Sequence, residues 1–156
     1  MSEEREELLR YFKQMSLDLT ILSDLSLDFR QKREVVKKDC DGIVEHLAAL
    51  RLSTSSCLDL LERKRNDWQH LPAFFTVHLS LEHLDTQALA SLLLEMDLFG
   101  RQVGSLGRSR ETWKEGEARI KVQVRVQQKL TTVVVHVCRL IQSMEQLICE
   151  IEVKEA

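Results

Sequence analysis

The segment Gly100-Arg101-Gln102-Val103-Gly104-Ser105-Leu106-Gly107-Arg108-Ser109-Arg110 is where phosphate chemistry would be sought in this chain. A phosphate loop needs G-x-x-x-x-G-K-[ST], with the lysine on the phosphates and the hydroxyl on magnesium, and a dinucleotide fingerprint needs G-x-G-x-x-G after a strand; neither spacing is met. We expect a turn between helices or a softened helix, with small residues that let another helix approach closely. The five histidines, His46, His70, His78, His83 and His136, never pair at i, i+4, and no cysteine stands at the spacing of a zinc site, so no metal is expected. No G-x-S-x-G elbow presents a nucleophile, and the carboxylate pairs Glu3-Glu4 and Glu6-Glu7 suit a helix N-terminus better than acid–base work. No catalytic residue, cofactor or metal is assigned.

Charge is the second candidate. Between Gly100 and Lys129 there are eight basic residues, Arg101, Arg108, Arg110, Lys114, Arg119, Lys121, Arg125 and Lys129, against three acidic ones, a local excess of five. Such a patch would meet nucleic acid, a microtubule surface or an anionic membrane, or would pair with an acidic helix. Residues 72–99 supply one, holding four acids and no Lys or Arg. Ser105 and Ser109, flanked by arginines, and Ser53 to Ser56 are candidate phosphorylation sites.

The elements behind these residues must be helical. The chain has 156 residues, 44% hydrophobic and 30% charged, with five glycines and one proline, which is neither a disordered composition nor that of a loop-rich β protein. A net charge of -3 argues against a dedicated nucleic-acid binder. No apolar run approaches the eighteen residues of a membrane span, and the acidic start lacks the basic region of an export signal, so a cytoplasmic chain without membrane insertion is expected, with a cytoskeletal or nuclear place as the alternatives. Cys40, Cys57, Cys138 and Cys149 read as reduced thiols in the core.

Stepping by seven from Leu8 gives Met15, Leu22, Phe29, Val36, Ile43, Leu50, Cys57, Lys64 and Leu71. The complementary positions are Phe12, Leu19, Ser26, Arg33, Cys40, Leu47, Thr54, Leu61 and Trp68. A heptad kept over this length packs helices side by side. The flanking apolar residues make the seam wider than a two-stranded coiled coil needs, so a third or fourth helix should cover it. Residues 1–71 are therefore one long helix, or a hairpin broken at Ser53–Ser56 with Ser56 as the new cap.

Pro72 ends that block. Residues 72–84 read as a linker or a short helix packing Phe74 and Phe75, and Asp85 as the cap of a helix over 86–106. Residues 85–156 form a C-terminal helical hairpin whose last seam is Leu130, Val134, Val137, Ile141, Met144, Ile148 and Ile151. The alternation and β-branching over 120–137 leave a strand open there, although no turn residue divides the stretch and a helix is preferred.

The expected fold is thus all-α, an antiparallel bundle or an extended coiled coil forming one cooperative domain. In its general look the chain is similar to small subunits of multi-chain helical assemblies of the spindle and kinetochore, microtubule-associated or vesicle-tethering kind. That resemblance implies a non-catalytic scaffold subunit, bound to other helical proteins in a hetero-oligomer. The alternative is a self-contained bundle that holds nucleic acid or a microtubule through 101–129.

Overall fold

The computed structural model describes residues 2–106 and 113–156, and among them every regular element is helical and no strand forms. Helix α1 (Glu3–Gln31) is followed by α2 (Lys37–Arg63), the single turn α3 (Arg65–Trp68), α4 (Pro72–His83), a π-helical turn (Leu84–Leu89), α5 (Ala90–Leu106) and α6 (Trp113–Glu155). The chain stays helical from Pro72 to Leu106, so α4, the π turn and α5 make one arm of a four-armed bundle. Neighbouring arms are antiparallel. Glu7 meets Arg63 and Lys32 meets Asp39 between α1 and α2; Arg5 meets Glu152 and the Lys32 carbonyl meets Gln123 between α1 and α6. Across the other two seams, Glu62 lies against His78, and Ala73 against Glu150. The result is an up-down-up-down four-helix bundle.

The heptad closes inside this molecule. Leu8, Met15, Leu22, Phe29, Ile43, Leu50, Cys57 and Leu71 are buried, as are Cys40, Leu47, Thr54, Leu61 and Trp68 of the complementary row. Phe12 and Leu19 are half-buried against the same core. Val36 departs from the pattern: it is 49% exposed, and Val35, at 2%, takes the core position instead. The reason is a break at residues 32–36, where Lys32 and Val36 are extended. This break replaces the one expected at Ser53–Ser56, which lies within α2. There the Thr54 hydroxyl donates to the Leu50 carbonyl at 2.7 Å, so the helix itself satisfies the polar side chain.

No glycine or proline marks the actual break. Asp39 builds it, accepting from the Val36 N–H at 3.0 Å and pairing with Lys32, while the Gln123 amide donates to the Lys32 carbonyl at 3.2 Å. These contacts supply the partners that a helix end otherwise lacks.

Residues 72–84 form helix rather than a linker. Pro72 sits at the first helical position, where its missing N–H costs nothing, and the Glu150 carboxylate of α6 accepts from the next N–H, of Ala73, at 3.1 Å. Phe74 is buried, whereas Phe75 is 51% exposed and does not pack inward as expected. Asp85 caps nothing, because the helix runs through it as the π turn. The buried residues show why. From Phe74 they fall at Val77, Leu81 and Leu84, then five residues on at Leu89, then at Leu92, Met96, Phe99 and Val103. One residue too many separates Leu84 from Leu89, and the wider turn absorbs it.

Helix α6, 43 residues and about 64 Å long, runs unbroken through 120–137, so the β-branched stretch is helix and not strand. Its buried row is Val126, Leu130, Val133, Val137, Leu140, Met144, Leu147 and Ile151. Two of the seven expected seam positions therefore shift by one residue: Val134 and Ile141 flank the core half-buried, and Val133 and Leu140 point into it. Ile148 shares its burial with Leu147.

Candidate functional site

The basic segment turns largely toward the chain's own acids. Arg101 pairs with Asp97 at 3.0 Å along α5. Arg125 Nε and Lys129 Nζ, one turn apart on α6, reach the two oxygens of Glu95 at 3.3 and 2.8 Å. Lys121 is exposed, and Arg119 is half-buried. Arg108 and Arg110, with Gly107 and Ser109, lie outside the described residues, as does the side chain of Lys114. Glu95 on α5 and Arg125 and Lys129 on α6 thus face each other across one helix interface.

Along that interface runs an open groove of about 420 Å³. One wall is the π turn and the start of α5, with His83, Gln87, Ala88 and Ser91; the other is α6, with Arg125, Gln128, Lys129, Thr132 and Val133. No acidic residue lines it. At its His83 end the ring lies 5.3 Å from that of His136, whose Nε2 is 3.2 Å from the Ser80 carbonyl. On the opposite side of the π turn, a second groove of about 360 Å³ runs between α2 and α5, beside the Arg51–Asp85 pair at 3.5 Å. Sequence reading missed both, and the five-residue interval between Leu84 and Leu89 was the signal available.

Near the far end of α2, His78 is buried and stacked on Phe74, with its Nε2 against Glu62 and 2.9 Å from Arg65. The hydrogen bond from Arg65, and then that with His78, hold the Glu62 carboxyl down at about 2. This cluster ties α2, α3 and α4 together. Among the described residues no three His, Cys, Asp or Glu side chains gather as a metal set.

The thiols divide. Cys40 and Cys57 are buried, and burial pushes them up to about 11 and about 12, which leaves them protonated and unreactive. Cys138 and Cys149 are exposed on α6, contrary to the expected core positions, because the buried row passes through Val137 and Ile148 beside them.

With the seams closed, the large apolar side chains left outside gain weight. Phe75 and Leu79 on α4, at 51% and 62%, and Leu94 and Leu98 on α5, at 62% and 49%, stand exposed in two i, i+4 pairs. Each pair flanks a buried residue, Val77 or Met96, by two positions, which places it on the face opposite the core. No described helix is long and apolar enough to cross a membrane. No protein-family model, curated protein or solved structure matches the chain. The class that fold and surfaces define is an all-α, antiparallel four-helix bundle.

Proposed function

We propose that the chain is a non-catalytic interaction subunit of a multi-protein assembly, a rigid bundle that docks an amphipathic helix of a partner on the outer face of α4 and α5. The observation that carries this reading is the double pair Phe75–Leu79 and Leu94–Leu98, left exposed while every long seam is closed internally. Pairs at this spacing are the anchors used when helices lie along each other. Three of the four acids of residues 72–99 are paired within the chain, and the fourth, Glu82, stands exposed near the first pair, so the fitting partner helix carries a basic residue beside its apolar stripe. Scaffolds of the spindle, microtubule or vesicle-tethering kind are the setting this reading favours.

The test is co-purification of the tagged chain from its native cells at moderate salt, beside Phe75→Lys plus Leu79→Lys and Leu94→Lys plus Leu98→Lys. A fixed set of helical partners at equal stoichiometry, lost in both variants at unchanged helicity and Tm, is the expected result. Partners retained by both variants, or a wild-type chain recovered alone, refute it.

A further inference from the structure

We infer that the groove between the π turn and α6 is a binding site for a small organic phosphate, a monoester with a compact apolar body. Three independent features point to it. The first is charge: Arg125 and Lys129 share the one carboxylate of Glu95, so among the described residues two cations meet one anion at the groove's edge. The pair with Glu95 engages Arg125 through Nε, and a guanidinium carries five N–H donors.

The second is the lining. Around those cations stand the amides of Gln87 and Gln128 and the hydroxyl of Ser91, with Ala88 and Val133 as the apolar part and no acid among them; Thr132 also lines the groove, its hydroxyl donating to the Gln128 carbonyl at 2.9 Å. A phosphomonoester offers only acceptor oxygens, more of them than a carboxylate, and matches a wall of donors. The volume, about 420 Å³, suits a small molecule rather than a polymer.

The third is backbone. The π turn spends a residue that the 3-and-4 alternation of buried positions does not need, and its Gln87 and Ala88 are groove residues. Such insertions inside helices gather at functional sites. None of Phe75, Leu79, Leu94 and Leu98 lines the groove, so this inference does not rest on the partner-docking reading.

The experiment is an amide NMR titration of the full chain with phenyl phosphate, with phenol and inorganic phosphate run alongside. Saturable shifts confined to the groove walls, with a Kd of about 1 mM or tighter and weaker or no response to phenol, are expected. Arg125→Gln and Lys129→Gln should each weaken binding about tenfold, as loss of a charge-assisted contact does. Ser91→Trp, an exposed substitution that fills the groove while leaving both cations in place, should abolish it, so a folding defect in the charge variants does not decide the matter. Diffuse or non-saturating shifts, an equal response to phenol, or an affinity indifferent to Ser91→Trp would each overturn the inference.

Discussion

Asp18 carries a buried carboxylate oxygen that the bundle leaves unpartnered. It is 2% exposed on α1, its Oδ2 has no hydrogen-bond partner, and its other oxygen has a 3.4 Å contact from Gln14. Burial raises its carboxyl above the ordinary 3.8, against the lowering effects of Gln14 and His46. A raised acid binds its proton more tightly folded than unfolded, so the fold is favoured at low pH and penalised as pH climbs through the folded value. Asp18→Asn removes the buried charge and keeps an oxygen for Gln14, so it should stabilise the protein at neutral pH in urea unfolding, with the gain shrinking as pH falls toward 3.8. Glu62 has the opposite sign. Its carboxyl is depressed from 4.5 to about 2, so its contribution is full above 4.5 and lost as pH falls toward 2. The stability difference between wild type and Glu62→Gln should narrow over that window.

At the scale of elements, two glycines separate helix propensity from close packing. A methyl group at Gly42 would meet nothing within 4 Å, so Gly42→Ala should raise stability by about 1 kcal/mol through propensity alone. At Gly100 the same methyl would come 3.1 Å from Cys40 Cβ, where α5 approaches α2, so Gly100→Ala must push a buried side chain and should give less or turn destabilising. Thermal melts of the two variants read the contrast directly. The π turn gives a sharper forecast. Deleting Thr86, an exposed residue within it, restores a four-residue step between Leu84 and the residue that is now Leu89, so the bundle should keep or raise its Tm while the groove loses its shape and its phenyl phosphate binding. The sequence announced the helices and most of the heptad because burial on one face writes apolar residues at 3 and 4 spacing. It hid the first turn because that turn is made by Asp39, Val35 and Gln123, and only the fold brings Gln123 to it. It hid two positions of the α6 seam because Val133 and Val134, like Leu140 and Ile141, are adjacent and equally apolar, and only packing chooses between them. The grooves were illegible for the same reason: their walls are thirty or more residues apart in the chain.

At the scale of the molecule, every long seam is buried within one chain, so its anchors behave as core. Leu22→Ala and Ile43→Ala should each cost about 2 to 5 kcal/mol in denaturant unfolding, at residues only 1% exposed. The exposed Leu79→Ala should fall within about 0.5 kcal/mol of wild type. A comparable loss at Leu79 would mean that the outer face is packed in solution.

An even number of antiparallel arms brings the outer strokes of the chain to one pole. The Ser2 N–H lies 3.4 Å from the Glu155 carboxylate, and Arg5 is 3.2 Å from Glu152. The order in which the four arms are threaded is therefore not what specifies the bundle. A circular permutant that joins Ala156 to Ser2 by a short flexible linker and opens the backbone between Arg33 and Glu34, both exposed, should fold to the same helical content. In that permutant α6 and α1 become a local hairpin, while the α1–α2 pairing becomes the long-range closure. A shift of the folding rate at near-constant stability would be the kinetic mark of a fold that is cyclic in its contacts and linear only in its covalent chain.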